Sequence, residues 1–120
     1  MAQENAKMKI AQVDGVTVVV LADQKILDEV SIAKIGNDLG KLITPDGKPK
    51  IVVNFENVTN MSSSALGMLI TLHKRVREAG GQLRLSNIQP TISEVFKITR
   101  LDEIFQICRD QNEAIASIGS

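Results

Sequence analysis

Ile51-Val52-Val53-Asn54-Phe55-Glu56-Asn57-Val58-Thr59-Asn60-Met61-Ser62-Ser63-Ser64-Ala65-Leu66-Gly67 is the stretch that decides the fold. It opens on a compact apolar run, Ile51 to Phe55, with the length and β-branched content of a buried strand. It closes on three serines, and then Ala65, Leu69, Leu72, Val76 and Ala79 follow at a four-three-four-three spacing. That spacing places one apolar stripe along a helix. Serine is a favoured helix N-cap, because its hydroxyl oxygen accepts from the unpaired N–H groups of the first turn. A buried strand that passes through a short loop into a long amphipathic helix is half of a β-α-β unit. The sheet is therefore expected to be parallel at this point.

Working outward, Gly80-Gly81 ends the helix, since glycine enters the left-handed conformation at little cost. Gln82 to Ser86 reads as a short strand, and Pro90 suits the first turn of a helix running to about Ile98. Ile104 to Cys108 reads as a weaker strand, and Asp110 with Glu113 resembles a capping box opening a last helix. Upstream, Met8–Val13 and Val16–Leu21 flank Asp14-Gly15, a tight hairpin turn. Val16, Val18 and Val20 share one face of the second strand, with Val19 and Leu21 on the other. Both faces are apolar, so the strand is expected to be covered on each side. Ile32, Ile35, Leu39 and Leu42 mark a helix over Leu27 to Ile43, which the surface loop Thr44 to Pro49 stops.

The resulting order is β-β-α-β-α-β-α-β-α. It specifies a single α/β domain over residues 1–120, with its core at roughly 7–118. The sheet is mixed but mainly parallel, of four to five strands, with about four helices. With 120 residues the chain has material for one hydrophobic core. Its 14 basic and 14 acidic residues balance, which argues against a broad electrostatic grip on nucleic acid or anionic lipid. Neither Trp nor Tyr occurs, so a base-stacking platform is lacking. Cys108 is the only cysteine, which excludes an internal disulfide or a zinc-cysteine cluster, and it reads as a small core residue. No apolar run reaches the ~20 residues of a membrane helix. The polar start, Met1 to Lys9, lacks a secretory signal's apolar stretch. A cytoplasmic protein without membrane insertion, nucleic-acid partner, metal or cofactor is the expectation.

The serine-rich turn resembles the signature of the STAS domain, the family of anti-sigma factor antagonists and the cytosolic domains of sulfate transporters. The family pattern is an apolar strand ending in Asp-Leu, then roughly V-x-φ-φ-D-S-[ST]-G-L-G, with φ apolar. Val58-Thr59-Asn60-Met61-Ser62-Ser63-Ser64-Ala65-Leu66-Gly67 falls on it without a gap. Similarity continues through Gly80-Gly81-Gln82-Leu83-Arg84-Leu85, Asn87-Ile88-Gln89-Pro90 and the Leu101–Ile107 segment. Ser62 stands where the family has Asp, and Ala65 where it has Gly. The family's early G-x-[LI]-D element is replaced by Leu21-Ala22-Asp23-Gln24-Lys25.

The resemblance implies a transcription regulator that works by partner exchange. Unphosphorylated, it would bind an anti-sigma factor with serine kinase activity and free a sigma factor; a serine phosphatase would reverse its phosphorylation. The acceptor serine of the family maps onto Ser63, with Ser64 and Ser62 as neighbouring candidates. Met61, Ser62, Ser64, Leu66, Gly67, Met68 and Asp23 are the implied partner-binding positions. Leu66 and Met68 read equally well as core, and Asp23 and Asp28 as acidic residues leading a helix. The same resemblance leaves a second reading open, a phosphate-independent scaffold or regulatory subunit of a membrane transport system.

Catalysis by the chain itself finds no support in its residues. A nucleophile elbow needs Gly-x-Ser-x-Gly, and Met61-x-Ser63-x-Ala65 lacks both glycines. His73, the only histidine, lies roughly 15 Å along the same helix from Ser63 at about 1.5 Å per residue. No phosphate-binding Gly-x-x-x-x-Gly-Lys-[Ser/Thr] occurs either. The chain is expected to be the substrate of phosphoryl transfer and not its catalyst.

Overall fold

The computed structural model describes residues 3–4, 8–43 and 47–119. Strands β2 (Met8–Val13) and β3 (Val16–Leu21) form the expected hairpin. Asp14 and Gly15 both take positive φ, 52° and 81°, the twist a two-residue hairpin turn requires. β5 (Lys50–Asn54), β7 (Gln82–Ser86) and β8 (Gln106–Cys108) follow in parallel beside β3. These five strands are the expected sheet, and the two-residue β1 (Gln3–Glu4) extends its antiparallel edge beyond β2.

The helices are α1 (Glu29–Gly40), α2 (Ser63–Glu78), α3 (Pro90–Ile98) and α4 (Gln111–Gly119). The larger core lies on one sheet face, where Val19, Leu21, Val53 and Leu85 meet Ile35 and Leu39 of α1, Leu69 and Val76 of α2, and Phe96 of α3. On the other face Val16, Val18 and Val52 meet Ala114, Ile115 and Ile118 of α4. The sheet is thus covered on both sides, as the apolar faces of β3 require. Cys108 is half-buried against this smaller core.

Several boundaries differ from expectation. Leu27 stands outside α1 and is 49% exposed, whereas Ile26 is fully buried. Asp28 is the N-cap, its side chain accepting from Ser31 N–H at 2.8 Å. At the other end of α1 the bonds shorten to i→i+3 at Leu42 and Ile43, so the helix closes at Gly40. Of the expected surface loop Thr44–Pro49, residues 44–46 lie outside the described residues, and Pro49 is buried. Arg100, at φ 60°, ends α3 and turns the chain into a 3-10 turn, Leu101–Glu103. Ile104 and Phe105 therefore precede β8, and Phe105 enters the larger core beside Phe96.

Gly80 and Gly81 serve different ends. Gly80 takes φ 76° and donates to Arg77 O, while Gly81 donates to Val76 O, the paired bonds that close a helix C-terminus. Gly81 is needed for space: a Cβ there would collide with the Pro49 carbonyl oxygen, which already accepts from Gln82 N–H. Gly81→Ala should cost about 1–3 kcal/mol or more, because backbone and not a flexible side chain must move. Gly67, exposed on α2 with nothing within 4 Å of an added Cβ, is the contrast. Gly67→Ala should stabilise by about 0.5–1 kcal/mol. Urea denaturation of both variants checks the pair; equal midpoints would contradict it.

Candidate functional site

Three connections leave the carboxyl ends of the parallel strands and are bonded to one another. Asn54, buried at the end of β5, accepts from Glu56 N–H through Oδ1 at 2.8 Å and donates through Nδ2 to Gln111 Oε1 at 3.0 Å. The following segment runs beside residues 24–26. Gln24 O accepts from Thr59 N–H at 2.7 Å and Asn60 N–H at 3.1 Å, and Ile26 O accepts from Ser62 N–H at 3.1 Å. Two short strands result, β4 (Lys25–Ile26) and β6 (Asn60–Met61), paired in parallel. Asn57 Nδ2 donates to Leu21 O at 3.1 Å. From the third connection Gln89 Nε2 donates to Glu56 O at 2.6 Å, and Thr91 Oγ1 donates to Thr59 O at 3.3 Å. Ile26, Phe55 and Val58 are fully buried beneath this edge.

The three serines divide the work at the start of α2. Ser62 is the N-cap, with extended backbone, and its Oγ accepts from Ala65 N–H at 3.2 Å. The residue standing in place of the motif's Asp therefore still caps the helix. Ser63 is the first helical residue, exposed, and its hydroxyl has no hydrogen bond among the described residues. Ser64 is exposed too, and its Oγ donates to Glu29 Oε1 on α1 at 3.4 Å. The first turn of α2 carries no acidic residue, so the positive end of the helix dipole meets no carboxylate of its own helix.

The other expected positions surround these serines at different depths. Gly67 is exposed, while Met61 and Asp23 are half-buried. Half-buried Met68 packs over α1: a Cβ on Gly36 would lie 3.0 Å from its Cγ. Leu66 is 8% exposed and joins the larger core. It also lines a cleft of about 110 Å³ with Met61, Thr59 and α3's Thr91, Ile92 and Val95. A groove of about 280 Å³ runs between α1 and α2, lined by Met68, Thr71 and Arg75 opposite Ala33, Gly36 and Asn37.

Two features escaped the sequence reading. The β4–β6 pair has only two residues per strand and hence no readable alternation; Ile26, apolar and just ahead of a capped helix, was the available signal. Leu27 and Val30, 49% and 81% exposed, lie beside Glu29 and off the buried stripe of α1. For Val30, its mismatch with the Ile32–Ile35–Leu39 spacing was the available signal. His73, far along α2 from Ser63, is half-buried with its ring edge-on to Phe105 at 5.3 Å. Burial, aided by nearby Arg77, lowers its pKa below 6.5. Among the described residues no helix is long and apolar enough to cross a membrane.

Removing the Ser62 hydroxyl leaves the Ala65 N–H without its cap. Ser62→Ala should lose about 1 kcal/mol of stability, and Ser62→Asp should match or exceed the parent. Urea denaturation at low salt measures both. An unchanged Ser62→Ala would contradict the capping role.

The STAS domain family model matches residues 7–114. The anti-sigma-B factor antagonist of Staphylococcus aureus is 30% identical over 73 residues, covering 58% of this chain and 68% of that protein. Among solved structures, an anti-sigma-factor antagonist (STAS) domain protein from Planctomyces limnophilus superposes with a TM-score of 0.87 at 23% identity, covering 96% of this chain and all of that one. The Bacillus cell fate determinant SpoIIAA in its phosphorylated form matches with a TM-score of 0.69 at 20% identity, over 92% of this chain and 98% of its own. The two structural matches share the fold.

Proposed function

The chain belongs to the STAS domain family, and from that premise we propose that it is an anti-sigma factor antagonist switched by phosphorylation of Ser63. The observation that carries this reading is the state of that hydroxyl. It is exposed, free of hydrogen bonds among the described residues, and seated at the first position of a helix with no acid in its first turn. Ser62 is occupied with capping and Ser64 with Glu29. Of the three serines, Ser63 can be modified without dismantling a contact. The relatives named as antagonists, and a fold neighbour described in a phosphorylated form, support the same reading.

In this reading the partner is an anti-sigma factor with serine kinase activity. It docks on the start of α2, the 23–28 segment and the apolar rim of Leu27, Val30 and Met68, and in doing so releases its sigma factor. The kinase transfers the γ-phosphoryl group of ATP to Ser63 Oγ; ADP leaves, and the hydroxyl proton passes to a base on the kinase. The phosphoserine brings a charge of about −1.5 to −2, which the helix N-terminus tolerates. On the docking face it adds to the carboxylate of Glu29 and must be desolvated with it, so the complex separates. A serine phosphatase restores the hydroxyl. The chain supplies shape and an acceptor, while the chemistry belongs to its partners.

The test uses an anti-sigma kinase from the same cells. Ser63→Asp should weaken its binding about tenfold or more, which is about 1.4 kcal/mol, while the melting temperature stays close to that of the parent. Ser63→Ala should bind like the unmodified parent and take up no phosphate from ATP. Equal binding by parent, Ser63→Asp and Ser63→Ala would contradict the switch and favour a phosphate-independent module of a transport system.

A further inference from the structure

At the opposite end of the molecule, a cleft of about 320 Å³ opens between the last turns of α2 and the amino ends of β7 and β8. His73 and Arg77 of α2 line one wall; Gln82, Leu83 and Arg84 of β7 line the other, with Ile104 at the rim. No acidic side chain contributes to the lining. The cleft exists because β8 begins only at Gln106, opposite Arg84, which leaves the β7 edge before it uncovered.

The two guanidinium groups are prepared differently. Arg84 is held by three neutral acceptors: Nε donates to Ser117 Oγ at 2.9 Å, Nη1 to Leu83 O at 3.2 Å, and Nη2 to Gln82 Oε1 at 2.9 Å. None of these partners cancels its charge, and two of its five N–H donors remain unused. Arg84 leaves β7 on the α4 face, where it meets Ser117 and Gln82, and the bond to Leu83 O brings the group to the β7 edge, where the cleft opens. Arg77 is exposed and pairs with no carboxylate among the described residues. His73 is fixed by its contact with Phe105 and adds a neutral donor or acceptor to the same wall.

We propose that this cleft is a binding site for a small soluble phosphate monoester, held between Arg77 and Arg84 with His73 beside it. Two guanidinium charges match a dianion better than a single carboxylate, and planar N–H forks suit phosphate oxygens. The exposed Ile104 at the rim offers an apolar contact to the organic part of the molecule. The site lies at the other end of α2 from Ser63, so an occupant could stabilise the protein without covering the serine turn.

The experiment is an NMR titration of the full chain, first with inorganic phosphate and then with glycerol phosphate. A parallel arm measures sedimentation with phosphatidylcholine vesicles containing phosphatidic acid. Saturable shifts at the Gln82–Arg84 amides, the Arg77 and Arg84 Nε–H signals and the His73 ring are expected. Arg77→Gln and Arg84→Gln should each weaken binding about tenfold, while Arg109→Gln, on the far side of β8, leaves it unchanged. Arg77 is exposed, so that variant tests the site even if Arg84→Gln fails to fold. Shifts that do not saturate, that centre on the start of α2, or that persist in Arg77→Gln would overturn the site. Binding to the vesicles alone would overturn the soluble ligand.

Discussion

Two backbone carbonyls, Gln24 O and Ile26 O, determine where the long helix begins. Through Thr59, Asn60 and Ser62 they fasten the connection after β5 to the connection after β3. Because β3 and β5 are parallel neighbours, these connections leave the same sheet edge and can be joined by so few bonds. Once Ser62 N–H is committed to Ile26, its side chain is oriented to cap α2, and the next residue is the first of the helix. The exposure of Ser63 thus follows from sheet topology through hydrogen bonding. A one-residue slip in the ribbon would pass the cap to Ser63 and the first helical position to Ser64.

The same arrangement separates structural from functional demands. Fully buried Ile26, Phe55 and Val58 anchor the edge from below, and Asn54 fixes the start of the loop through its own amide. The hydroxyl that is left over sits on a rigid platform, in the field of a helix N-terminus without a local carboxylate. A charge added there changes the surface and leaves the core alone. This is the physical condition for a modification that alters partner choice while the domain stays folded.

The strands and helices were legible where burial imposes a period. The stripe through Leu69, Leu72 and Val76 and the two-faced apolar run of β3 are recovered in the larger and smaller cores. That a serine of the turn caps α2 was also legible; which of the three does so was not, because the bond from Ser62 N–H to Ile26 O decides it. Elements governed by tertiary contact were not. The β4–β6 ribbon is too short to alternate, and Leu27 looked helical until Asp28 proved to be the cap. Phe105 read as part of a strand, although the left-handed Arg100 redirects it into the core. Leu66 read equally as contact and as core from its motif position and helical spacing, and only its packing in the folded chain shows it in the larger core. The role of Gly81 depends on Pro49, which precedes the neighbouring parallel strand β5 and meets Gly81 only once the crossover through α2 is made.

The proposed switch is one hydroxyl, and the tryptic peptide Ile51–Lys74 carries all three serines of the turn. Mass spectrometry of that peptide, from protein isolated from its native cells under several growth and stress conditions, locates any phosphate among them. Phosphate is expected on Ser63 at an occupancy that changes with condition, with Ser62 and Ser64 unmodified. A peptide that stays unphosphorylated throughout, or that carries its phosphate on Ser62, would contradict the switch.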